Sequence, residues 1–402
     1  MEAILRQSGV LGFKFIKYVF YVSSKLLLTS MVFKGSENKN PKFNVTISKN
    51  KITKVITYFV QVFYSFSFIS LTIGLYQSIV SEKLGISTAL HFIKVMFIFL
   101  ITFTNIFVLV KERQAEMTIN LAGEIHSNLA AHSYKVKNWW TSIASLVPLF
   151  GAACMILTLP LALAILFIVR PNSKAFLFSL LSEKLQQNFI VLLSFFCIES
   201  FATFAVMHLS SVMVSCFWSY FISVLGWLPL LMKPSAEKHG NNPTSMFKYK
   251  FDMYQLMVIQ TKVFNELILV IISVMIFLFS ALTGIVLYIS IVGSDKLDLH
   301  IYIIFPALGF LFIFYNVVTY TQIGQIRKLS EDILTIWKAQ LKQLAFKQEI
   351  SKPRVVLFEK QLRSMRPFAV EVVTVHVTIK TPQKVIENIF QFLILLMELK
   401  LV

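Results

Sequence analysis

The stretch 55-VITYFVQVFYSFSFISLTIGLYQSIV-80 runs through 26 residues without a charged side chain. A helix rises about 1.5 Å per residue, so about 20 such residues cross a hydrocarbon core of roughly 30 Å. Runs of the same kind recur along the chain, and they place membrane spans at 55–80, 86–110, 143–169, 189–214, 264–292, 301–323 and 383–401. The fold class expected is therefore an all-α membrane protein with seven transmembrane helices. Composition agrees: 56% of residues are hydrophobic, 14% are charged and 39 are Phe, too apolar a mixture for a water-facing surface.

The net charge of +18 does not call for nucleic acid, because the basic residues gather in the segments between spans. With a cytosolic N-terminus, the inside segments 1–54, 111–142, 232–263 and 324–382 hold 30 Lys and Arg, against 5 in the outside segments. That asymmetry is the positive-inside pattern. It also resolves 189–231, where Glu199 and His208 are the only ionisable groups apart from Cys and Tyr. Two spans there would carry the 11 basic residues of 324–382 to the outside, so one span continuing as a cytosolic helix, ending near Gly226 and Pro229, is expected. The chain then has its N-terminus inside and its C-terminus outside, in the cell membrane and multi-pass. The Asn44 sequon stays on the cytosolic side and unglycosylated.

Four regions follow from this reading. Residues 1–54 form a cytosolic N-terminal segment, in which Lys14, Lys17 and Lys25 interrupt the apolar run from Val10 to Phe33, giving an amphipathic surface helix rather than a signal peptide. Residues 55–323 hold spans one to six. In 324–382, Ile326, Leu329, Ile333, Ile336, Leu341 and Leu344 recur near a helical period, extending span six as an amphipathic cytosolic helix. A second helix is expected from Val355 to Met365, stopped by Pro367, and a short extended stretch from Val372 to Ile379. These apolar faces call for a packed cytosolic assembly region. Residues 383–402 are the last span.

That last span carries a polar stripe. At about 100° per residue, Lys384, Glu387, Asn388, Gln391, Leu395 and Glu398 share one arc of the helix. Ionisable groups at membrane depth face a bundle interior or water, since lipid exposure costs roughly 2.5–3.5 kcal/mol each on insertion scales. Lys384 and Glu387 at one end and Glu398 at the other can instead snorkel, but Gln391 lies mid-span. Repeated about a symmetry axis, the stripe would line an aqueous path whose carboxylates favour cations, with Glu387, Asn388, Gln391, Leu395 and Glu398 as pore-lining candidates. A single copy would instead place it inside an intramolecular bundle.

Around this helix, Phe358, Gln361 and the run Arg366, Pro367, Phe368 precede a Val-rich stretch through Ile379. In these residues and in overall architecture the chain resembles the insect gustatory and odorant receptor superfamily. The gustatory branch marks its last helix by Thr-Tyr, five hydrophobic residues and Gln-Phe. Here the best spacing reads Phe390 and Gln391, then Phe392 to Leu396, then Met397 and Glu398, with none of the four marker residues retained. A shifted alignment keeps Gln391 and Phe392 as Gln-Phe but places Lys384 and Val385 at Thr-Tyr; the chain resembles a divergent gustatory-receptor-like member. The resemblance implies a tetrameric, ligand-gated cation channel, a homo- or heterotetramer with related receptors, opened by a small-molecule ligand. Its pocket would lie in the outer half of spans one to six, where His91, Lys94, Glu199, Tyr288 and Tyr302 are the polar candidates.

Two other functional classes fit these residues less well. A G-protein-coupled receptor also has seven spans, but the charge bias opposes its orientation, and neither an Asp/Glu-Arg-Tyr run after span three nor Asn-Pro-x-x-Tyr in span seven is present. A transporter calls for paired broken helices, and Pro148 and Pro160 of span three have no counterpart. An enzyme, a cofactor and a metal site are not expected: the seven His and the three Cys (Cys154, Cys197, Cys216) show no ligand spacing, and no phosphate loop or nucleophile motif occurs.

Overall fold

The computed structural model describes residues 31–33, 45–47, 51–81, 86–131, parts of 160–171, 176–232, 243–292, 302, 304–372, 375–376 and 380–398. Eight longer helices carry the described fold: α1 Lys51–Ser81, α2 Ile86–Val110, α3 Glu112–Ala131, α4 Phe189–Leu225, α5 Pro243–Val292, α6 Ile304–Phe346, α7 Lys352–Ser364 and α8 Thr381–Glu398. Two antiparallel ribbons accompany them, β1 (Met31–Phe33) with β2 (Val45–Ile47), and β3 (Glu371–Val372) with β4 (Val375–His376). Lys51–Gln77, Phe189–Leu225, Phe247–Val292 and Phe305–Phe346 are long and apolar enough to cross a membrane. The expected third span, 143–169, lies for the most part outside the described residues.

The helix boundaries have local causes. The Asn188 side chain caps α4, accepting from the backbone N–H of Ile190 at 2.9 Å and of Val191 at 3.5 Å. The helix then runs unbroken to Leu225, and a single turn at Leu228–Leu231 follows. Pro353 sits in the first turn of α7, where its missing N–H costs nothing. At the end of α6, Gln348 takes φ 59° and Glu349 N–H reaches back to the Leu344 carbonyl oxygen at 3.1 Å, closing the last turn.

One expectation is corrected at the N-terminal segment. Of the anticipated amphipathic helix from Val10 to Phe33, the described part, Met31–Phe33, is a strand paired with Val45–Ile47. The reason is Asn120 of α3, whose Oδ1 accepts from Val45 N–H at 2.7 Å while its Nδ2 donates to the Val45 carbonyl oxygen at 2.8 Å. One amide thus acts as a neighbouring strand would, holding Val45, Thr46 and Ile47 extended, the conformation β-branched residues favour.

The main core lies where α5 begins and α6 ends. Buried side chains of α3, the second half of α4, the first half of α5, the second half of α6 and α7 form one cluster, to which Val385 and Ile389 of α8 belong. Trp337 is fully buried there, donates its indole N–H to the Leu231 carbonyl oxygen at 3.1 Å, and meets the rings of Phe247, Phe251 and Tyr254. Ile326, Ile333 and Leu341 are buried on the same face, with Leu329, Ile336 and Leu344 packed against it. The amphipathic pattern after 324 is therefore a core-facing helix.

The apolar run of α1 and the start of α4 behave in the opposite way. Val55, Phe59, Val62, Phe66, Ile69 and Ile73 of α1 are each more than half exposed, as are Phe189 and Ile190 of α4. A contiguous apolar surface of this extent is what lipid covers in a membrane protein. The second half of α5 differs from α1: Leu278, Leu282, Ile285, Val286 and Ile289 are buried there.

Candidate functional site

Helix α8 packs against α5 and α6. Its buried residues, Pro382, Val385, Ile389, Leu393 and Leu396, repeat at intervals of three and four and mark one face. All five pore-lining candidates, Glu387, Asn388, Gln391, Leu395 and Glu398, are exposed, as is Lys384. At about 100° per residue the centre of their arc stands roughly 150° from the centre of the buried face. The stripe therefore looks away from its own chain. The intramolecular alternative, in which the chain's described helices would cover it, is not what the structure shows.

Close approach fixes how α8 lies on α5. A Cβ added at Gly284 would come within 2.6 Å of the Phe392 ring, so the bare glycine backbone makes room for that side chain. Leu393, Leu396 and Phe392 pack with Ile285, Val286 and Ile289 of α5 and with Phe305 of α6. Near the start of the helix, Gln383 Nε2 donates to Glu387 Oε1 at 3.0 Å along the exposed face.

Three side chains hold the chain between α7 and α8. Tyr254 OH donates to the Arg366 carbonyl oxygen at 3.2 Å, and Ser330 Oγ to that of Phe368 at 3.1 Å. Asn265 Nδ2 donates to the Ala369 carbonyl oxygen at 2.9 Å. Phe358 stacks on Phe251 and Phe368 packs on Tyr254, so two residues of the resemblance motif anchor this connection. Asn265, Tyr254, Ser330 and Gly284 escaped the reading of the sequence. Their signal was weak: one polar residue at the edge of an apolar run, or one glycine inside it, becomes meaningful only when its partner more than 35 residues away is known.

The ligand-pocket candidates divide. The His91 ring lies against α1, where a Cβ at Gly74 would stand 3.4 Å from it. Tyr302 OH donates to the Ser290 carbonyl oxygen at 2.8 Å, tying the start of α6 to the end of α5. Tyr288 is buried with Phe305, Leu393 and Leu396, so it and Tyr302 share one end of α5, where Phe92, the chain neighbour of His91, also packs. The Lys94 side chain lies outside the described residues. Glu199 belongs to a different neighbourhood, where its Oε1 accepts from Phe178 N–H at 3.3 Å and its turn of α4 faces Tyr64 of α1 through Thr203.

What the site can do chemically resides in α8. From Glu387 to Glu398 two carboxylates and two amides stand along about 16 Å of helix on a face the chain leaves bare. Facing water, such a row attracts and partly rehydrates cations; facing lipid, it would be costly. No protein-family model matches the chain, and no curated protein matches it.

Proposed function

We propose that the chain is a chemosensory receptor of the gustatory type that is itself a cation channel gated by a small organic molecule. It would cross the cell membrane seven times, N-terminus inside and C-terminus outside, and assemble as a tetramer with the polar face of α8 toward a shared axis. The observation that carries this reading is the orientation of α8: its apolar face is buried on α5 and α6, and its five polar-arc candidates are all left exposed. Four copies around an axis would give Gln391 a mid-membrane ring and Glu387 and Glu398 carboxylate rings toward the two mouths. The large core formed by α3 to α7 supports the same reading, because it supplies a rigid body beneath the spans against which α8 can be positioned.

The test is electrical. Cells expressing the chain, alone or with related receptors, are exposed to a panel of small organic compounds, and the evoked current is compared with that of Glu398→Gln. The reading predicts a cation current whose conductance or ion preference falls in the variant at equal surface expression, since a charge at a narrow low-dielectric mouth acts more strongly than one in open water. A current with unchanged ion preference would remove Glu398 from the path. Absence of any evoked current would favour a receptor that signals without conducting.

A further inference from the structure

We propose that an internal water molecule is bound between α1 and α2, bridging Gln61 Oε1 and Thr102 Oγ1. Both side chains are more than nine-tenths buried within the apolar part of the bundle. Gln61 Nε2 donates to the Thr102 carbonyl oxygen at 3.2 Å, which draws the two residues together across the helix pair. The other oxygen of that amide and the hydroxyl of that threonine are both sealed from solvent and have no hydrogen-bond partner among the described residues. They belong to the same two residues that this hydrogen bond joins.

The hydroxyl is unusual among its neighbours. Thr57 and Ser67 on α1 and Thr203 and Ser210 on α4 each donate to the carbonyl oxygen four residues back, satisfying themselves on their own helix. Thr102 makes no such bond. A buried acceptor left bare costs as much as a lost hydrogen bond, and two in one place are what an internal water satisfies, typically with two to four bonds.

The surroundings choose water over an ion. One turn along α2, Asn105 is fully buried, donates to the Val206 carbonyl oxygen at 3.3 Å and accepts from Ser210 Oγ at 3.0 Å. The seam joining α1, α2 and α4 here is thus built of neutral amides and hydroxyls, with too few free oxygens to replace the shell of a cation. A neutral molecule that both donates and accepts fits it. Water would donate to Gln61 Oε1 and exchange a hydrogen bond with Thr102 Oγ1.

The experiment is Thr102→Val in the full-length protein, read by thermal unfolding in detergent. Valine keeps the shape and removes only the hydroxyl. If water is held there, its loss strands Gln61 Oε1, and the midpoint falls by roughly 2–4 °C. If the hydroxyl is simply unpaired, replacing it with a methyl leaves the midpoint unchanged or raises it, which would overturn the proposal. An experimental map of the unmodified protein gives an independent answer. Density within hydrogen-bonding distance of both oxygens is expected, and a well-resolved site without it would equally refute the assignment.

Discussion

Asn265 of α5 grips the backbone around Ala369 with both ends of its amide, donating Nδ2–H to the Ala369 carbonyl oxygen at 2.9 Å and accepting Glu371 N–H on Oδ1 at 3.3 Å. The contact joins the longest of the described helices to the segment that delivers the chain into α8. Asn265→Leu removes both bonds and strands two backbone groups, a loss of about 1–3 kcal/mol if they stay dry. Asn265→Asp keeps the acceptor and loses the donor, so it should fall between. Thermal unfolding of the three proteins in detergent checks that order.

Gly284 and Phe392 set the distance between α5 and α8. Gly284→Ala puts a methyl where the Phe392 ring stands, 2.6 Å away, and the ring or the helix must shift. Overpacking of this kind typically costs about 1–3 kcal/mol. Gly284→Ala combined with Phe392→Leu should recover part of the loss, and a double-mutant cycle measures that coupling.

Glu112 opens α3 just past the apolar run of α2. Burial holds its pKa above the ordinary carboxylate value, Lys54 acts in the opposite direction, and Glu116 adds to the rise. Its Oε1 is buried with no hydrogen-bond partner among the described residues. Because the folded state holds this proton more tightly than the unfolded state, the stabilisation is complete below the unfolded pKa and is lost as pH rises through the folded value. Glu112→Gln should therefore be more stable than the unmodified protein at neutral pH, with a difference that shrinks toward pH 4. Unfolding midpoints across that range test it.

Much of this architecture is legible in the chain itself. Long uncharged runs mark α1, α4, α5 and α6, and the spacing of Ile326, Ile333 and Leu341 marks the core face of the α6 extension, because burial and helical period are local properties of sequence. The stripe on α8 is legible for the same reason. What was not legible depends on partners far apart in the chain. Asn120 turns Val45 into a strand from 75 residues away, and Trp337 finds the Leu231 carbonyl oxygen across 106 residues. Glu199, placed by sequence with the other pocket candidates, is drawn instead to Phe178 by a backbone N–H that no side-chain pattern reveals.

The charge bias sets a fourth expectation. The segments expected inside hold 30 basic residues against 5 in those expected outside; if this bias orients the chain, an epitope tag before Met1 should be detected only in permeabilised cells, and a tag after Val402 on intact cells. The reverse pattern would restore the orientation of a G-protein-coupled receptor and remove the argument for a shared pore.

The most direct test of the account is a reconstruction of the purified full-length protein in a lipid disc, resolved well enough to place α8. It predicts four copies about one axis, with Asn388 and Gln391 toward that axis and water between them. A single copy, or an assembly in which these residues meet lipid, would contradict it.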